Sequence, residues 1–353
     1  MRRFSGWRWL GGTALALCVG LMSASRAQAA AHATDALHIY VIDVEGGQST
    51  LIVAPGGQSL LIDTGWPEHA GRDADRIVAA AKAAGIRRID YVLLTHYHSD
   101  HVGGVPQLVA RIPVGTFIDH GPNRETSEPK TEHGYELYQQ VLATKKYGHI
   151  TAKPGMMLPI RGMKVEILTA DGAMIQKPLP GAGQTNNYCA ESEKRPTDQT
   201  ENARSVGSLI TFGKVRILDL GDLTWDKEMQ LMCPINRIGH IDLLIVSHHG
   251  WYQSSSPALV DGISPVVAIM DNGETKGGSP PTLRTLHNVQ SLRALYQLHY
   301  SKESGPLNTP TEYIANLEGT DPGNFFQMTV HRDGAFTVKN SRTNAAQTYH
   351  AQP

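Results

Sequence analysis

The stretch LLTHYHSDHVGG, residues 93–104, places His96, His98, Asp100 and His101 within six positions, directly after an apolar run. Imidazole and carboxylate are the donor types that suit Zn²⁺, and also Mn²⁺ or Fe. A His-x-His pair on an extended segment sets both rings on one side. Asp100 and His101, one turn further on, then face a second position. A polar surface loop, or histidines around a helix start, would account for one such residue but not for four. A chain carrying this stretch must join a strand end, a loop and a helix start around a divalent cation.

Around the cluster, short β-rich runs alternate with turns. The pattern predicts strands over 37–44, 49–56, 58–65, 89–96, 113–119, 163–170, 205–213, 215–222, 241–250 and 266–273, and a hairpin over 325–340 turned at Asp333-Gly334. Helical periodicity predicts helices over 73–86, 104–112, 134–148 and within 282–297. The two strand-rich halves, 37–170 and 205–340, predict two sheets packed face to face with helices outside. The chain of 353 residues is 41% hydrophobic and 18% charged, enough apolar material for such a core. Its formal net charge of −1 excludes a global basic field that would hold nucleic acid by phosphate neutralisation alone. Residues 171–204 form a long polar stretch, of a length that marks function or mobility.

The N-terminus reads as a secretory signal. Arg2, Arg3 and Arg8 precede the apolar run LGGTALALCVGLMSA, and Ala27-Gln28-Ala29 offers small residues for cleavage near Ala29. The apolar run is short for a membrane span. The residues flanking Arg2-Arg3 fit twin-arginine export poorly, and Leu17 before Cys18 does not suit a lipoprotein site. The expectation is an exported protein, periplasmic or secreted, with no stable membrane association after cleavage. Export permits a Cys189–Cys233 disulfide; two separate buried thiols fit the sequence equally.

A two-ion site needs donors from elsewhere, and strand ends supply them. Asp63 closes QSLLIDTG, Asp222 terminates VRILDLGD, and His248 follows IDLLIVS. An Asp before a turn is more often a cap, but these residues share one position, each at the end of an apolar strand.

With these motifs in hand, THYHSDH is similar to the HxHxDH signature of the metallo-β-lactamase superfamily, and LIDTG, LDLGD and VSHHG match its accompanying motifs in order. SHHG, with the pattern N-x-x-S…SLITFGKVRILDLGD, most resembles the soluble hydrolase domain of ComEC-type DNA-uptake proteins and their free-standing relatives. The resemblance implies an α/β fold, an αββα four-layer sandwich, with a signal peptide at 1–29, the hydrolase domain at 36–340 and a C-terminal tail at 341–353. It also implies roles: His96 and His98 on a first metal, Asp100 and His101 on a second, Asp222 bridging, and His248 on the second. Asp63 would orient a ligand. His249 would support its neighbour or face substrate. Many members carry a third histidine before the bridging aspartate. Here that window holds Asn202, Arg204, Ser205 and Ser208, so Asn202, Ser205 or water would complete the first site, or one ion alone would bind.

The implied cofactor is one or two Zn ions, with Mn or Fe as alternatives, and the implied activity is hydrolysis by hydroxide generated at the metal, with Asp100 and Asp222 positioning it. Three function classes follow: a phosphodiesterase or nuclease acting on a small-molecule or nucleic-acid-like anionic substrate; a lactone, β-lactam or other carbonyl ester or amide hydrolase; and a noncatalytic metal-binding protein. Asn272 and Lys276, in the glycine-rich segment 270–281, are candidate substrate contacts, and His299 is a candidate proton donor. The loop 120–133, with Asn123, Arg124 and Lys130, is a candidate substrate wall. Trp66 and Trp251 are candidate cleft residues. No specific protein partner is indicated.

Overall fold

The computed structural model describes residues 35–352. The signal segment expected at 1–29 lies outside the described residues. Among the described residues, no helix is long and apolar enough to cross a membrane.

Among the described residues, seventeen strands form two sheets. The first half contributes β1 (Ala36–Val41), β2 (Thr50–Val53), β3 (Ser59–Ile62), β4 (Ile89–Leu93), β5 (Val114–Asp119) and β6 (Gly148–Thr151). The second half contributes β7 (Lys164–Ala170), β8 (Ala173–Met174), β9 (Gly207–Phe212), β10 (Val215–Asp219), β11 (Leu243–Ile245), β12 (Val267–Met270), β13 (Ala294–His299) and β14 (Ile314–Asn316). The last three, β15 (Phe326–His331), β16 (Ala335–Asn340) and β17 (Ala346–His350), return to the first sheet. One sheet runs β17-β16-β15-β1-β2-β3-β4-β5-β6, the other β14-β13-β12-β11-β10-β9-β7-β8.

Period-two alternation builds the layers. Leu37, Ile39 and Val41 of β1, Leu60 and Ile62 of β3, Val215 and Ile217 of β10, and Leu243 and Ile245 of β11 share the core between the sheets. The intervening residues face outward. Tyr40 and Leu61 join the outer core of the first sheet, and Leu218 and Leu244 that of the second. Helices cover both outer faces: α1 (Arg72–Ala83), α2 (Ser99–Val102), α3 (Val105–Val109) and α4 (Pro129–Ala143) on the first, α5 (Trp225–Met232), α6 (Pro257–Ile263) and α7 (Pro280–Asn288) on the second. This is the αββα sandwich expected.

Several boundaries differ from the sequence reading for local reasons. α4 starts at Pro129 because the Glu128 carboxylate accepts the Thr131 N–H at 2.6 Å, with proline in the first turn. It ends at Ala143, and residues 148–151 pair with β5 as an edge strand. The segment 282–297 divides: α7 ends at Asn288, and Ala294–His299 is a fully buried parallel strand. A short continuous apolar run looks alike in a helix and in a central strand. The tail expected at 341–353 instead contains β17, paired with β16, and Tyr349 Oη lies 2.8 Å from Tyr296 Oη. β17 is an exposed edge strand with a polar composition, so it shows no apolar period.

The topology positions the site. β3, β4 and β5 run parallel in one sheet, and β10, β11, β12 and β13 in the other. Parallel strands present their C-terminal ends on a common rim, where functional loops of open α/β sheets gather. Asp63, the His96–His101 cluster, Asp222, His248-His249 and Asp271 all follow such ends.

Candidate metal centre

Leu94, Thr95 and His96 continue buried beyond β4, and His98 precedes the short α2 that carries Asp100 and His101. Asp63 leaves β3 with φ 59°, a left-handed conformation for which aspartate is one of the more tolerant residues. Its Oδ1 accepts the Thr95 N–H at 2.8 Å, and its Oδ2 accepts the Thr95 hydroxyl at 2.6 Å and lies 2.7 Å from His101 Nδ1. One buried carboxylate therefore fixes Thr95 at the exit of β4 and orients the His101 ring.

On the other sheet, Asp222 follows β10 and the pair His248-His249 follows β11. Asp100, His101, Asp222 and His249 form a buried group whose donor atoms all lie within 4.8 Å of one another. His249 Nε2 is 3.1 Å from Asp100 Oδ2 and 3.5 Å from Asp222 Oδ1. His101 Nε2 is 3.1 Å from Asp100 Oδ2 and 3.3 Å from Asp222 Oδ2. The sequence assigned His248 to this group; the fold puts His249 there instead. His248 and His249 have φ of 56° and 53°, followed by Gly250 at 77°. That left-handed run redirects consecutive side chains, and no periodicity in the sequence announces it.

His96 and His248 approach the same carboxylate oxygen as His101. Their Nε2 atoms are 3.9 and 3.4 Å from Asp222 Oδ2. His98 stands against His96 with ring centroids 4.6 Å apart. Asn202 Nδ2 lies 3.5 Å from His248 Nε2. Ser205 is buried, and its carbonyl accepts from Thr169 Oγ1.

The donor set fits a divalent cation. The buried His96 Nε2, His101 Nε2 and Asp222 Oδ1 find no hydrogen-bond partner among the described residues, a costly arrangement unless a ligand engages them. Burial opposes the Asp222 charge, but His101, His249 and His248 outweigh it and hold the carboxyl well below its ordinary range. Burial likewise opposes Asp100, and Lys276 and His101 hold it well below that range. Two buried carboxylates that stay charged call for compensating positive charge.

Other candidate residues divide into two groups. Lys276 contacts the Asp100 carboxylate and lies 4.7 Å from the centroid of the Trp66 ring. Its loop is pinned to the histidine turn: the Gly278 N–H donates to His249 O and the Ser279 N–H to Gly250 O. Trp251 stands beside His248, ring centroids 6.4 Å apart. Asn272 and His299, by contrast, are fully buried and committed internally. Asn272 Nδ2 donates to His299 O at 2.8 Å, and His299 Nε2 lies 2.7 Å from Asp43 Oδ1. They tie β12, β13 and the β1 exit together, so neither offers its side chain to a substrate. In the loop 120–133, Arg124 pairs with Asp171 and Asn123 with Glu132.

Sequence reasoning missed the carboxylates behind the rings. Glu125 Oε2 lies 3.0 Å from His98 Nε2 and accepts the Glu201 N–H at 2.9 Å. Glu201, fully buried, accepts N–H groups of Arg124 and Tyr97 and sits 2.8 Å from His120 Nε2. Asp271 Oδ1 faces His249 Nδ1 at 3.4 Å. Asp271 could have been suspected from its place at a strand end; Glu125 and Glu201 lie in polar loops without a signal. The Cys189–Cys233 disulfide is formed and ties the long loop 171–204 to the end of α5.

The chain is 25% identical over 248 residues to Competence protein ComA of Neisseria gonorrhoeae, covering 70% of this chain and 29% of that protein. It is 25% identical over 271 residues to ComE operon protein 3 of Bacillus subtilis, covering 72% and 31%. The chain thus spans less than a third of the length of these relatives. Among solved structures, the metallo-beta-lactamase fold protein YhfI of Bacillus subtilis aligns with a TM-score of 0.45 at 14% identity, covering 74% of this chain and 95% of that one. Residues 42–170, which contain Asp63 and the whole His96–His101 cluster, match the Metallo-beta-lactamase superfamily.

Proposed function

We propose that this chain is an exported phosphodiesterase, acting on a nucleic-acid-like or smaller anionic substrate. The observation that carries the reading is Lys276. Its ammonium stands at the Asp100 carboxylate, beside Trp66, on a loop fastened to the His248–Gly250 turn. A fixed cation next to a cation-binding group suits a substrate that bears negative charge beyond the atom under attack. The names of the relatives, which refer to competence and, in a 26% identical protein of Haemophilus influenzae, to recombination, support a nucleic-acid-like substrate. The net charge of −1 points to local rather than global recognition of it.

Asp100, His101, Asp222 and His249 would hold the divalent cation, zinc in the first instance, with Mn²⁺ and Fe as alternatives. A cation so held acidifies water and neutralises charge on a substrate oxygen. The chain's own residues supply the rest. Asp63 keeps His101 aligned, Asp100 and Asp222 orient the attacking water, and Lys276 holds a non-bridging oxygen of the phosphodiester. Trp66 and Trp251 flank the approach. Export is supported by the basic and apolar N-terminal sequence and by the disulfide, which belongs to oxidising compartments.

The test offers the purified protein, loaded with Zn²⁺ or Mn²⁺, four substrates: bis-p-nitrophenyl phosphate, single-stranded DNA, a lactone and nitrocefin. Turnover of the phosphodiesters, reduced in Lys276→Met mainly through a higher KM, is expected. Turnover of only the lactone or nitrocefin would remove the phosphodiesterase reading, and an inert, fully metallated protein would favour a binding role.

A further inference from the structure

We infer that the cavity between the long loop 171–204 and the segments leaving Asp222 and His249 is a subsite for one nucleobase of the substrate, with a preference for bases that carry an exocyclic amino group. The inference deepens the phosphodiester reading, on which its substrate class rests.

The loop is built as a fixed wall. The Cys189–Cys233 disulfide fastens it to the end of α5. Asn186 Nδ2 donates to Met232 O and Ala258 O at 3.2 and 2.8 Å, which adds ties to α5 and α6. Ser192 Oγ accepts the Ala258 N–H at 2.8 Å, and Trp225 Nε1 donates to Glu193 O at 2.8 Å. So held, residues 193–198 face 224–226 and 252–253 across a cavity of about 440 Å³, a size that suits a small ligand.

Its place ties it to the cation group. Trp225 stands three residues after Asp222, and Tyr252 three after His249. Three residues of chain reach at most about 11 Å, so a nucleotide next to the one under attack reaches the cavity. Trp251 bridges the interval, with ring centroids 6.4 Å from His248 and 6.2 Å from Tyr252.

Two kinds of surface line the cavity. The first is flat. Arg195 lies over the Trp225 ring, its Cζ 3.6 Å from the centroid. The guanidinium is kept in that pose by the Tyr252 carbonyl and by the Glu193 carboxylate, 3.3 Å from Nε. Tyr252, beside it, is about half exposed. Guanidinium planes and aromatic rings are the platforms on which unpaired bases stack. The second surface is acidic. The carboxylates of Glu193, Asp198 and Asp226 outnumber the single guanidinium among the lining residues. That balance repels a phosphate from the cavity and leaves it to Lys276 and the cation. A carboxylate only accepts hydrogen bonds, so it suits a base edge that donates. Cytosine and adenine present an amino donor where thymine presents an oxygen.

The test separates binding from cleavage. Metal-loaded protein is titrated with short phosphorothioate-linked single strands of dC and of dT, which resist hydrolysis, and binding is read by tryptophan fluorescence and by the anisotropy of an end label. The dC strand is expected to bind about tenfold tighter than the dT strand. Tyr252→Ala and Arg195→Ala are each expected to weaken dC binding about tenfold, and Glu193→Gln combined with Asp198→Asn to bring dC down to the level of dT. Should Arg195→Ala fail to fold by circular dichroism, the exposed Tyr252 decides. Equal binding of dC and dT by the wild type, binding of neither, or a Tyr252→Ala protein with wild-type affinity would overturn the inference. Preferential dC binding without cleavage of unmodified DNA would leave the subsite standing and remove only the proposed activity. Cleavage of both unmodified strands with equal binding would do the reverse.

Discussion

The loop after β4 and the turn after β11 both present imidazoles to Asp222, by opposite means. In the loop the backbone is ordinary: His98 has φ −63° and passes into a helix. Precision comes from partners behind the rings, Asp63, Thr95 and Glu125, at 2.7–3.0 Å. In the turn the partners behind the rings are longer, 3.3 Å to Ser254 and 3.4 Å to Asp271. Precision there comes from the backbone, held left-handed by bonds from the His248 N–H to Gly221 O and from Gly278 and Ser279 back to the turn. Left-handed conformations at non-glycine residues cost roughly 1–3 kcal/mol each and persist only where surroundings over-determine them. The loop is thus a site of satisfied bonds, and the turn a site of imposed conformation.

Asp222 is common to both halves, so its loss should have the largest effect. Asp222→Ala is expected to abolish metal retention and to lower phosphodiester turnover by more than about 100-fold, beyond the 10- to 100-fold typical of residues that only orient a ligand. Retained metal at wild-type content would separate the two regions and break the comparison.

The turn should respond to pH through its exit. Glu228 accepts the Ser255 and Ser256 N–H groups at 2.8 and 2.7 Å, just beyond Ser254. Burial outweighs those bonds and pushes its carboxyl up to about 7. A folded value raised above the ordinary one near 4.5 gives stability that is complete below pH 4.5 and lost as pH rises through 7. The loss is about 3 kcal/mol. Chelator-stripped wild type should therefore melt lower at pH 7.5 than Glu228→Gln predicts from its own pH 4.5 value. Parallel pH profiles for the two proteins would contradict the buried-carboxyl account.

The loop should respond to loss of its partners. Asp63→Asn keeps the size and one acceptor but cannot serve both Thr95 and His101, so Zn²⁺ affinity by chelator competition should fall about 10- to 100-fold, with the melting temperature changed less. Glu125→Gln should weaken binding less, about tenfold or under, because His98 and Glu125 are both partly exposed. An Asp63→Asn protein with undiminished affinity would show that the loop, too, is positioned by its backbone.

Much of the fold was legible. The strands expected over 37–44 and 215–222 are present as β1 and β10, because short β-rich runs bounded by turn residues are a local signal. The cluster His96–His101 was legible because its donors are adjacent in sequence and sit where a strand must end. Asp63 and Asp222 were legible as aspartates closing apolar strands. What escaped had no local signature: β13 inside a run with helical character, β17 in a polar tail, and Glu125 and Glu201 in loops whose partners lie 27 and 104 residues away.

By itself the sequence determined the donor chemistry and the rim on which it gathers, since residue types and strand ends are local properties. Only the tertiary structure decided that His249, not His248, joins Asp100 and His101, and that Lys276 faces them while Asn272 and His299 do not. The physical reason is that ring direction depends on φ values of 56° and 53° and on hydroxyl and carboxylate partners contributed by distant segments. No single window of the chain contains both.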